Sequence, residues 1–348
     1  MYNDDHQRWV MDLIRWYQRD QRDLPWRQRK DPYGIWISEI MLQQTRVETV
    51  IAYYERFMHR FPTIYDVAKS PLEDILKLWE GLGYYSRARN IHKTAVLIVE
   101  QYKGVFPKTY EEVISLPGIG PYTAGAILSI AYNQAYPAVD GNVLRVISRL
   151  FLVEKDITLQ STKREIEDIV RYYIPEGAAS DFTQAIMELG ALICIPTSPR
   201  CSQCPMQENC KAFIQGEEQN LPIKAKKAKP KIENRYIAVI YKGDSVLMNQ
   251  RKEGGLLGGL WEFPGVQAEN KKEFVEKFQK KYGLVIQPES LLLKTEHTFT
   301  HRHWKMKVYK CTLSSFDSMM PTMQWATVSI MEKLTIPTAY QAILQKVL

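Results

Sequence analysis

From Trp9 to Phe213 apolar residues recur at helical spacing. Trp9, Leu13 and Trp16 or Tyr17 fall at i, i+4 and i+7 or i+8, the stripe of an opening helix. The same period runs through residues 35–61, 91–102, 119–132 and 139–152. Phe61-Pro62, Lys69-Ser70-Pro71, Lys103-Gly104 and Tyr136-Pro137 break it into separate elements. The pattern changes after Cys210. Residues 216–231 (GEEQNLPIKAKKAKPK) hold two prolines, five lysines and few large apolar groups, the composition of a linker. Strands follow. Residues 236–241 and 245–250 flank Lys242-Gly243-Asp244, a hairpin turn. Trp304, Met306 and Val308 alternate with Lys305 and Lys307, the period of a half-buried strand. One amphipathic helix is predicted over 272–282. The expected division is a helical domain over 1–215, a linker over 216–233 and an α+β domain over 234–348, without internal repeats.

Bulk properties agree with this division. A chain of 348 residues is longer than one core usually serves. It is 45% hydrophobic and 24% charged, with no low-complexity tract. No run approaches the roughly 18 uninterrupted apolar residues of a membrane span, and the polar start carries no secretory signal. A cytoplasmic location without membrane association is therefore expected. The 46 basic and 39 acidic residues leave a net charge of +7, compatible with a polyanionic partner but not diagnostic of one. The linker lysines suit contact with phosphates and suit a solvated tether equally well.

Candidate chemistry sharpens the picture. Four of the five cysteines, Cys194, Cys201, Cys204 and Cys210, crowd into seventeen positions with the spacing C-x6-C-x2-C-x5-C. Four soft thiolates suit zinc or an iron–sulfur cluster. Structural zinc more often uses two C-x2-C knuckles, and only one exists here. Cys311, alone on a predicted strand, reads as a small core residue. Leu116-Pro117-Gly118-Ile119-Gly120 precedes an apolar helix starting near Pro121, whose free N–H groups would suit a phosphate. By itself the motif equally suits an ordinary turn. Asp140, in Val139-Asp140-Gly141-Asn142, is by itself an N-cap. Glu39 lies among Trp36, Ile40 and Leu42. It is either an exposed helical glutamate or, facing a pocket, a carboxyl whose pKa apolar neighbours raise.

In their order along the chain these motifs resemble the endonuclease III and MutY glycosylase superfamily, over about residues 8–345. The resemblance implies a multidomain fold: an all-α helix-hairpin-helix glycosylase domain with an iron–sulfur cluster loop, and an α+β Nudix-like C-terminal domain. It makes Cys194, Cys201, Cys204 and Cys210 the ligands of one four-iron, four-sulfur (4Fe-4S) cluster, and it puts Gly118 and Gly120 at a DNA phosphate. Asp140, with Asn142, takes the position of the superfamily's essential aspartate, which stabilises an oxocarbenium-like sugar or bonds to it transiently. The run Trp36-Ile37-Ser38-Glu39-Ile40-Met41-Leu42-Gln43-Gln44-Thr45 is similar to the adenine-specific branch. Glu39 would be the general acid that protonates the leaving adenine. Tyr122 stands where strand-cleaving relatives carry a lysine. With no amine there, a Schiff base has no source and the enzyme would be monofunctional. Tyr122 would support the two carboxylates by hydrogen bonding. Arg22-Asp23-Leu24-Pro25-Trp26-Arg27, the run 79–89 (WEGLGYYSRAR) and Glu188-Leu189-Gly190-Ala191 resemble the same branch. Arg22, Leu24, Trp26, Arg27 and Gln184 would line the adenine pocket. Gln44, with Thr45, and Tyr84 would fill the hole left by a flipped base.

In the second domain Gly259-Leu260-Trp261-Glu262-Phe263-Pro264-Gly265 followed by a helix resembles the Nudix fold. A Nudix hydrolase needs R-E-x-x-E-E carboxylates to hold magnesium. The helix here reads Glu276-Lys277-Phe278-Gln279-Lys280-Lys281, so pyrophosphate hydrolysis is not expected. Phe299-Thr300-His301 resembles the family's F-S-H tip, which probes oxidised guanine; Thr300 keeps the hydroxyl. His297 and His303 nearby read as surface residues. The implied function is excision of adenine opposite 8-oxoguanine or guanine by a bacterial, nucleoid-associated monomer, its partner double-stranded DNA with A:8-oxoguanine or A:G mispairs. A strand-cleaving lyase for oxidised pyrimidines is the enzymatic rival, and Tyr122 and the second domain speak against it. A DNA-binding redox sensor is the other rival. It would need neither Glu39 nor Asp140.

Overall fold

A computed structural model describes residues 5–225, 229–316 and 320–348. The chain divides into two compact units, Met1–Ser70 with Asn90–Lys226, and Pro71–Arg89 with Lys227–Leu348.

The first unit is helical. Its opening helix α1 (Asp5–Asp20) buries Trp9, Val10, Leu13, Ile14, Trp16 and Tyr17, the stripe expected from the sequence. Asp31 caps the next helix, α2 (Pro32–Leu42), accepting a hydrogen bond from the Gly34 N–H at 2.9 Å, with Pro32 preset for the first turn. From Tyr33 to Met41 every residue of α2 is buried, so it is a central helix without a polar face. The periodic run 35–61 divides in two here. Gln43 has φ −59° and ψ 111°, Gln44 has φ 58°, and the Thr45 N–H bonds to the Leu42 carbonyl at 3.3 Å, the pattern of a type II turn. Helix α3 (Val47–Arg60) then departs, followed by α4 (Ile64–Lys69), α5 (Leu72–Leu78), α6 (Ser86–Tyr102), α7 (Tyr110–Ser115), α8 (Pro121–Tyr132), α9 (Gly141–Phe151), α10 (Gln160–Tyr173), α11 (Ala179–Leu192) and the short α12 (Lys211–Gln215). One core joins the apolar faces of α1, α9, α10 and α11.

The hairpin between α7 and α8 is fixed locally. Gly118 has φ +78°, and a Cβ there would lie 2.5 Å from the Asn90 amide nitrogen, so only glycine fits. Thr94 holds the turn by donating to the Pro117 carbonyl at 2.9 Å.

The second unit is a mixed sheet. It contains β1 (Lys231–Lys242), β2 (Ser245–Gln250), β3 (Trp261–Glu262), β4 (Gly265–Gln267), helix α13 (Lys271–Tyr282), β5 (Leu284–Thr298), β6 (Arg302–Phe316) and β7 (Met323–Ala326), then α14 (Val328–Met331) and α15 (Gln341–Val347). The order is β3-β2-β1-β6-β5, with β4 on β1 and β7 on β2. Strands β1 and β6 run parallel, and the remaining pairs are antiparallel. Pairing of Lys242 with Ser245 leaves Gly243-Asp244 as the hairpin loop, where the sequence put the turn. The alternation of β1 feeds two cores. Tyr236, Ala238 and Ile240 pack with Phe274 and Phe278 of α13. Ile237 and Val239 face Trp304, Met306, Val308, Tyr340 and Ile343. A strand buried on both faces reads as a continuous apolar run, as YIAVI does. Cys311 is buried in the first of these cores.

Residues 71–89, embedded in the helical part of the sequence, group with the second unit through polar ties. Lys77 donates to the Leu334 carbonyl at 3.0 Å, Glu80 accepts from the Ile336 N–H at 2.9 Å, and the Arg89 guanidinium donates to the Gly258 carbonyl. Such bonds, made by the ends of long side chains, leave no periodicity to read. The other division falls between Lys226 and Lys227, and residues 226–228 of the expected linker lie outside the described residues. No described helix is long and apolar enough to cross a membrane.

Candidate active site

A cavity of about 470 Å³ opens in the first unit between α2, the start of α8, the start of α9, α11 and residues 22–27. Arg22, Leu24, Trp26, Arg27, Glu39, Gln44, Thr45, Tyr122, Asp140, Asn142 and Gln184 all line it. The two carboxylates, 101 positions apart in sequence, thus share one cavity.

Their surroundings differ. Glu39, mid-way along the buried α2, is 6% exposed. Burial pushes its carboxyl up to about 7; a hydrogen bond from the Tyr122 hydroxyl opposes the rise, and the Asp140 charge adds to it. Asp140 caps α9. Its Oδ1 accepts the Asn142 and Val143 N–H groups, each at 2.8 Å, and its Oδ2 accepts the Asn142 amide at 2.8 Å. Burial raises this pKa too, against those three donors and the Arg145 charge. Donors that prefer the charged form surround Asp140, whereas a dry helix surrounds Glu39. Burial and the neighbouring carboxylates push the Tyr122 hydroxyl far above its ordinary range, so it is neutral and a donor.

Residues 22–27, which line the same cavity, are tied to Glu188, whose side chain is 1% exposed. Arg22 donates to it from its backbone N–H at 3.0 Å, its Nε at 2.9 Å and its Nη2 at 2.7 Å. Arg27 adds bonds at 3.1 and 2.8 Å. Burial alone would raise Glu188, but the hydrogen bonds from Arg22 and Arg27 overcome it and bring the carboxyl down to about 2. The sequence marked Glu188 only as part of a resembling run. Its partners lie 166 and 161 positions away, beyond any local signal. Ser38, Met187 and Ala191 also line the cavity and carried no signal of their own. Trp26 is steadied by an edge-on contact with Tyr54, ring centres 5.5 Å apart.

Gln44, at the cavity, and Tyr84, in the second unit, share an unusual trait. Both are exposed, and both have left-handed backbones, with φ 58° and 46°. Phe299, Thr300 and His301 form the turn between β5 and β6; Thr300 and His301 are exposed, and the Thr300 and Tyr84 hydroxyls are hydrogen-bonded at 2.8 Å. Gly118 and Gly120 sit in the hairpin and do not line the cavity. A Cβ on Gly120, which caps α8, would meet nothing within 4 Å, so that position is open to an approaching group.

The four cysteines converge. Cys194, Cys201, Cys204 and Cys210 are free thiols around one small cavity, together with Arg149. Burial raises Cys204 to about 12, and the charges of the other three add to the rise. Four thiolates gathered in a partly buried space need positive charge among them, which is what a metal centre supplies. Among the described residues no group of three or more His, Cys, Asp or Glu side chains stands arranged around a single metal ion. Arg149 donates to Cys194 Sγ at 3.3 Å, and Arg145 donates to the Cys194 carbonyl at 2.7 Å and to Asn142 Oδ1 at 2.9 Å. Neither arginine was marked by the sequence.

The chain is similar to known proteins over both units. Residues 37–172 match the profile of the HhH-GPD superfamily base excision DNA repair protein, and residues 235–346 match that of the NUDIX domain. The chain is 34% identical to an adenine DNA glycosylase of Rattus norvegicus, over 95% of this chain and 76% of the relative. It is 37% identical to an adenine DNA glycosylase of Buchnera aphidicola subsp. Baizongia pistaciae, over 83% of this chain and 82% of the relative. Among solved structures, endonuclease III in a non-covalent complex with DNA superposes with a TM-score of 0.52 at 25% identity, over 62% of this chain and 99% of that one. The expected combination of a helix-hairpin-helix domain and a Nudix-like domain is borne out.

The Glu188 triad carries a stability prediction. Glu188→Gln strands two arginines against a neutral group and should cost about 3–5 kcal/mol, read as a lower midpoint in urea unfolding. Because the Glu188 pKa is depressed, its stabilisation is full above the ordinary carboxylate range and is lost only as pH falls toward 2. The difference between wild type and variant should therefore persist at pH 5. A gap already closed at pH 5 would refute the triad.

Proposed function

Because the chain belongs to the adenine DNA glycosylase family, whose members act in base excision repair, we propose that the adenine it removes stands opposite 8-oxoguanine or guanine, and that removal proceeds by base flipping and acid-catalysed hydrolysis of the N-glycosidic bond. The observation that carries this reading is the pair of carboxyls in one cavity, one held protonated near neutrality and the other held by three donors.

Adenine leaves badly as an anion, so its departure needs a proton. Glu39, at about 7, still carries one at neutral pH. It passes that proton to a ring nitrogen of the flipped base. The bond electrons leave with the base as neutral adenine, and the sugar is left as a cation. Asp140 supplies the opposite charge. Water then adds to the sugar and its spare proton returns to Glu39, so the net reaction is hydrolysis. Tyr122, a neutral hydroxyl where an amine would be needed, offers no Schiff base. The strand is left uncut, with an abasic site.

In the same reading Arg22, Leu24, Trp26, Arg27 and Gln184 line the adenine pocket, Asn142 stands with Asp140 in the catalytic set, and Gln44, with Thr45, and Tyr84 fill the gap in the duplex. Thr300, flanked by Phe299 and His301, presents its hydroxyl to the base opposite. Gly118 and Gly120 take a DNA phosphate at the start of α8, where open space at Gly120 supports it. Cys194, Cys201, Cys204 and Cys210 are read as the ligands of one four-iron, four-sulfur cluster; when bound, it supplies positive charge to the thiolates and cross-links the loop after α11.

Single-turnover reaction of a labelled duplex holding adenine opposite 8-oxoguanine should give a nick only after alkali; a nick without alkali would mean that an amine nucleophile operates. Glu39→Gln should slow base removal by at least about 100-fold while duplex binding is kept. Since only protonated Glu39 can donate, the wild-type rate should fall as pH rises through about 7, and a flat profile from pH 6 to 8 would exclude it as the acid. Thr300→Ala should bring the rates opposite 8-oxoguanine and guanine closer together, and an unchanged ratio would place recognition elsewhere. Purified protein should contain about four irons per chain, and bound zinc with no iron would refute the cluster.

A further inference from the structure

Residues 81–84 have an unusual backbone. Gly81, Gly83 and Tyr84 have φ +102°, +69° and +46°, three left-handed positions in four. Glycine takes such angles freely. A tyrosine stays left-handed only where its surroundings hold it. A Cβ on Gly83 would meet nothing within 4 Å, so crowding at that position does not impose the shape. Two side chains of the same unit do the holding. The Trp79 indole N–H donates to the Gly83 carbonyl at 3.1 Å. Arg87 donates from Nη2 to the Leu82 carbonyl at 3.0 Å and to the Gly83 carbonyl at 3.3 Å.

Arg87 reaches the tyrosine ring as well. Its guanidinium lies over the Tyr84 ring, 5.6 Å from the centre, and over the Trp79 ring, 5.2 Å from the centre. Arg87 is 8% exposed, whereas Tyr84 keeps 48% of its surface in solvent. The arginine is thus too deep to meet a DNA phosphate, the ordinary task of an arginine near a duplex. Burial brings its pKa down to about 10, which leaves it charged at neutral pH. An apolar side chain of like volume would fill the same space without desolvating a guanidinium. It would not reach two carbonyls and two rings at once, as the planar fork does. The Tyr84 hydroxyl in turn is hydrogen-bonded to the Thr300 hydroxyl at 2.8 Å. Arg87, Tyr84 and Thr300 therefore form one line from the interior to the exposed turn between β5 and β6.

We propose that Arg87 is a positioning residue for recognition of the base opposite adenine: by fixing residues 82–84 and backing the Tyr84 ring, it holds that ring at one setting beside the Thr300 hydroxyl. The proposal rests on the reading of Tyr84 and Thr300 given above. A ring that stacks in the duplex and a hydroxyl that meets the base edge act together only when their separation is fixed. Without Arg87 the ring would still be present and exposed, but spread over several settings, and 8-oxoguanine would lose its advantage over guanine.

The test compares wild type with Arg87→Met, which removes fork and charge but fills the space, and with Arg87→Lys, which keeps a charge without the fork. Protein labelled with 3-fluorotyrosine gives a fluorine resonance for Tyr84, assigned by its loss in Tyr84→Phe. In Arg87→Met that resonance should shift or broaden with no DNA present, while the thermal midpoint moves by less than about 4 °C. The ratio of single-turnover excision rates opposite 8-oxoguanine and guanine should fall at least about fivefold in Arg87→Met and by less in Arg87→Lys. In a Tyr84→Leu background Arg87→Met should change the ratio by less than about twofold, because the arginine acts through the ring. An unmoved Tyr84 resonance would overturn the positioning. A moved resonance with an unchanged ratio would overturn the role in recognition, as would an equal effect of Arg87→Met in the two backgrounds. If Arg87→Met does not fold, Arg87→Lys carries the same readings. The resonance needs no substrate, so its failure is distinct from failure of the excision reading, which would show as wild type leaving adenine in place opposite either base.

Discussion

A carboxylate without water must be matched by donors, and at Glu188 the match is made twice. Arg22 and Arg27 both fork onto it, which ties residues 22–27 to α11. The rest of the site is placed from the same helix. Gly190, two residues along, lets α11 lie against the start of α9, since a Cβ there would come within 2.6 Å of Asn142 Cβ. That approach seats Asp140 and Asn142 on the cavity. Arg145 then secures both ends of the arrangement, donating to the Gly190 carbonyl at 2.8 Å and to Asn142. Remove the match at Glu188 and two half-buried arginines lose the carboxylate that ties residues 22–27 to α11.

The division of labour between Glu39 and Asp140 follows from where each stands on its helix. At a helix N-terminus the first N–H groups have no intrahelical partner, and Asp140 collects them. In the middle of a helix every N–H is already committed to the carbonyl four residues back. Glu39 has no such donors to draw on, and its apolar surroundings leave the proton in place. Two residues with nearly the same intrinsic acidity are thus driven apart by helix geometry. The hydroxyl of Tyr122 tempers the difference without cancelling it.

Much of this was readable in the sequence wherever one face of an element is apolar. The stripe from Trp9 to Tyr17, the helix after Gly120, the hairpin at Gly243-Asp244 and the α13 helix all appear where the pattern puts them. The pattern failed where geometry rests on a backbone angle or on the tip of a long side chain. Gln43-Gln44-Thr45-Arg46 holds neither glycine nor proline, so nothing announced the turn that splits residues 35–61. The ties that group residues 71–89 with the sheet run from Lys77, Glu80 and Arg89 to main-chain atoms far along the chain. For Glu39, the sequence left exposed and pocket-facing readings side by side. Burial of α2 on all sides decides between them, and that burial depends on neighbours that periodicity within one helix does not report.

The left-handed backbone at Gln44 has an implication for how the protein would respond to selection. The third position of a type II turn prefers glycine, which has no Cβ to crowd the carbonyl. Glycine at position 44 would relieve about 1–2 kcal/mol of left-handed strain against about 0.5–1 kcal/mol of added freedom in the unfolded chain. A laboratory search that rewarded heat resistance alone would therefore accept glycine there. It would do so by discarding a side chain that stands at the cavity. Glutamine at position 44 thus joins a left-handed backbone to a side chain at the cavity, and selection for durability alone would separate the two.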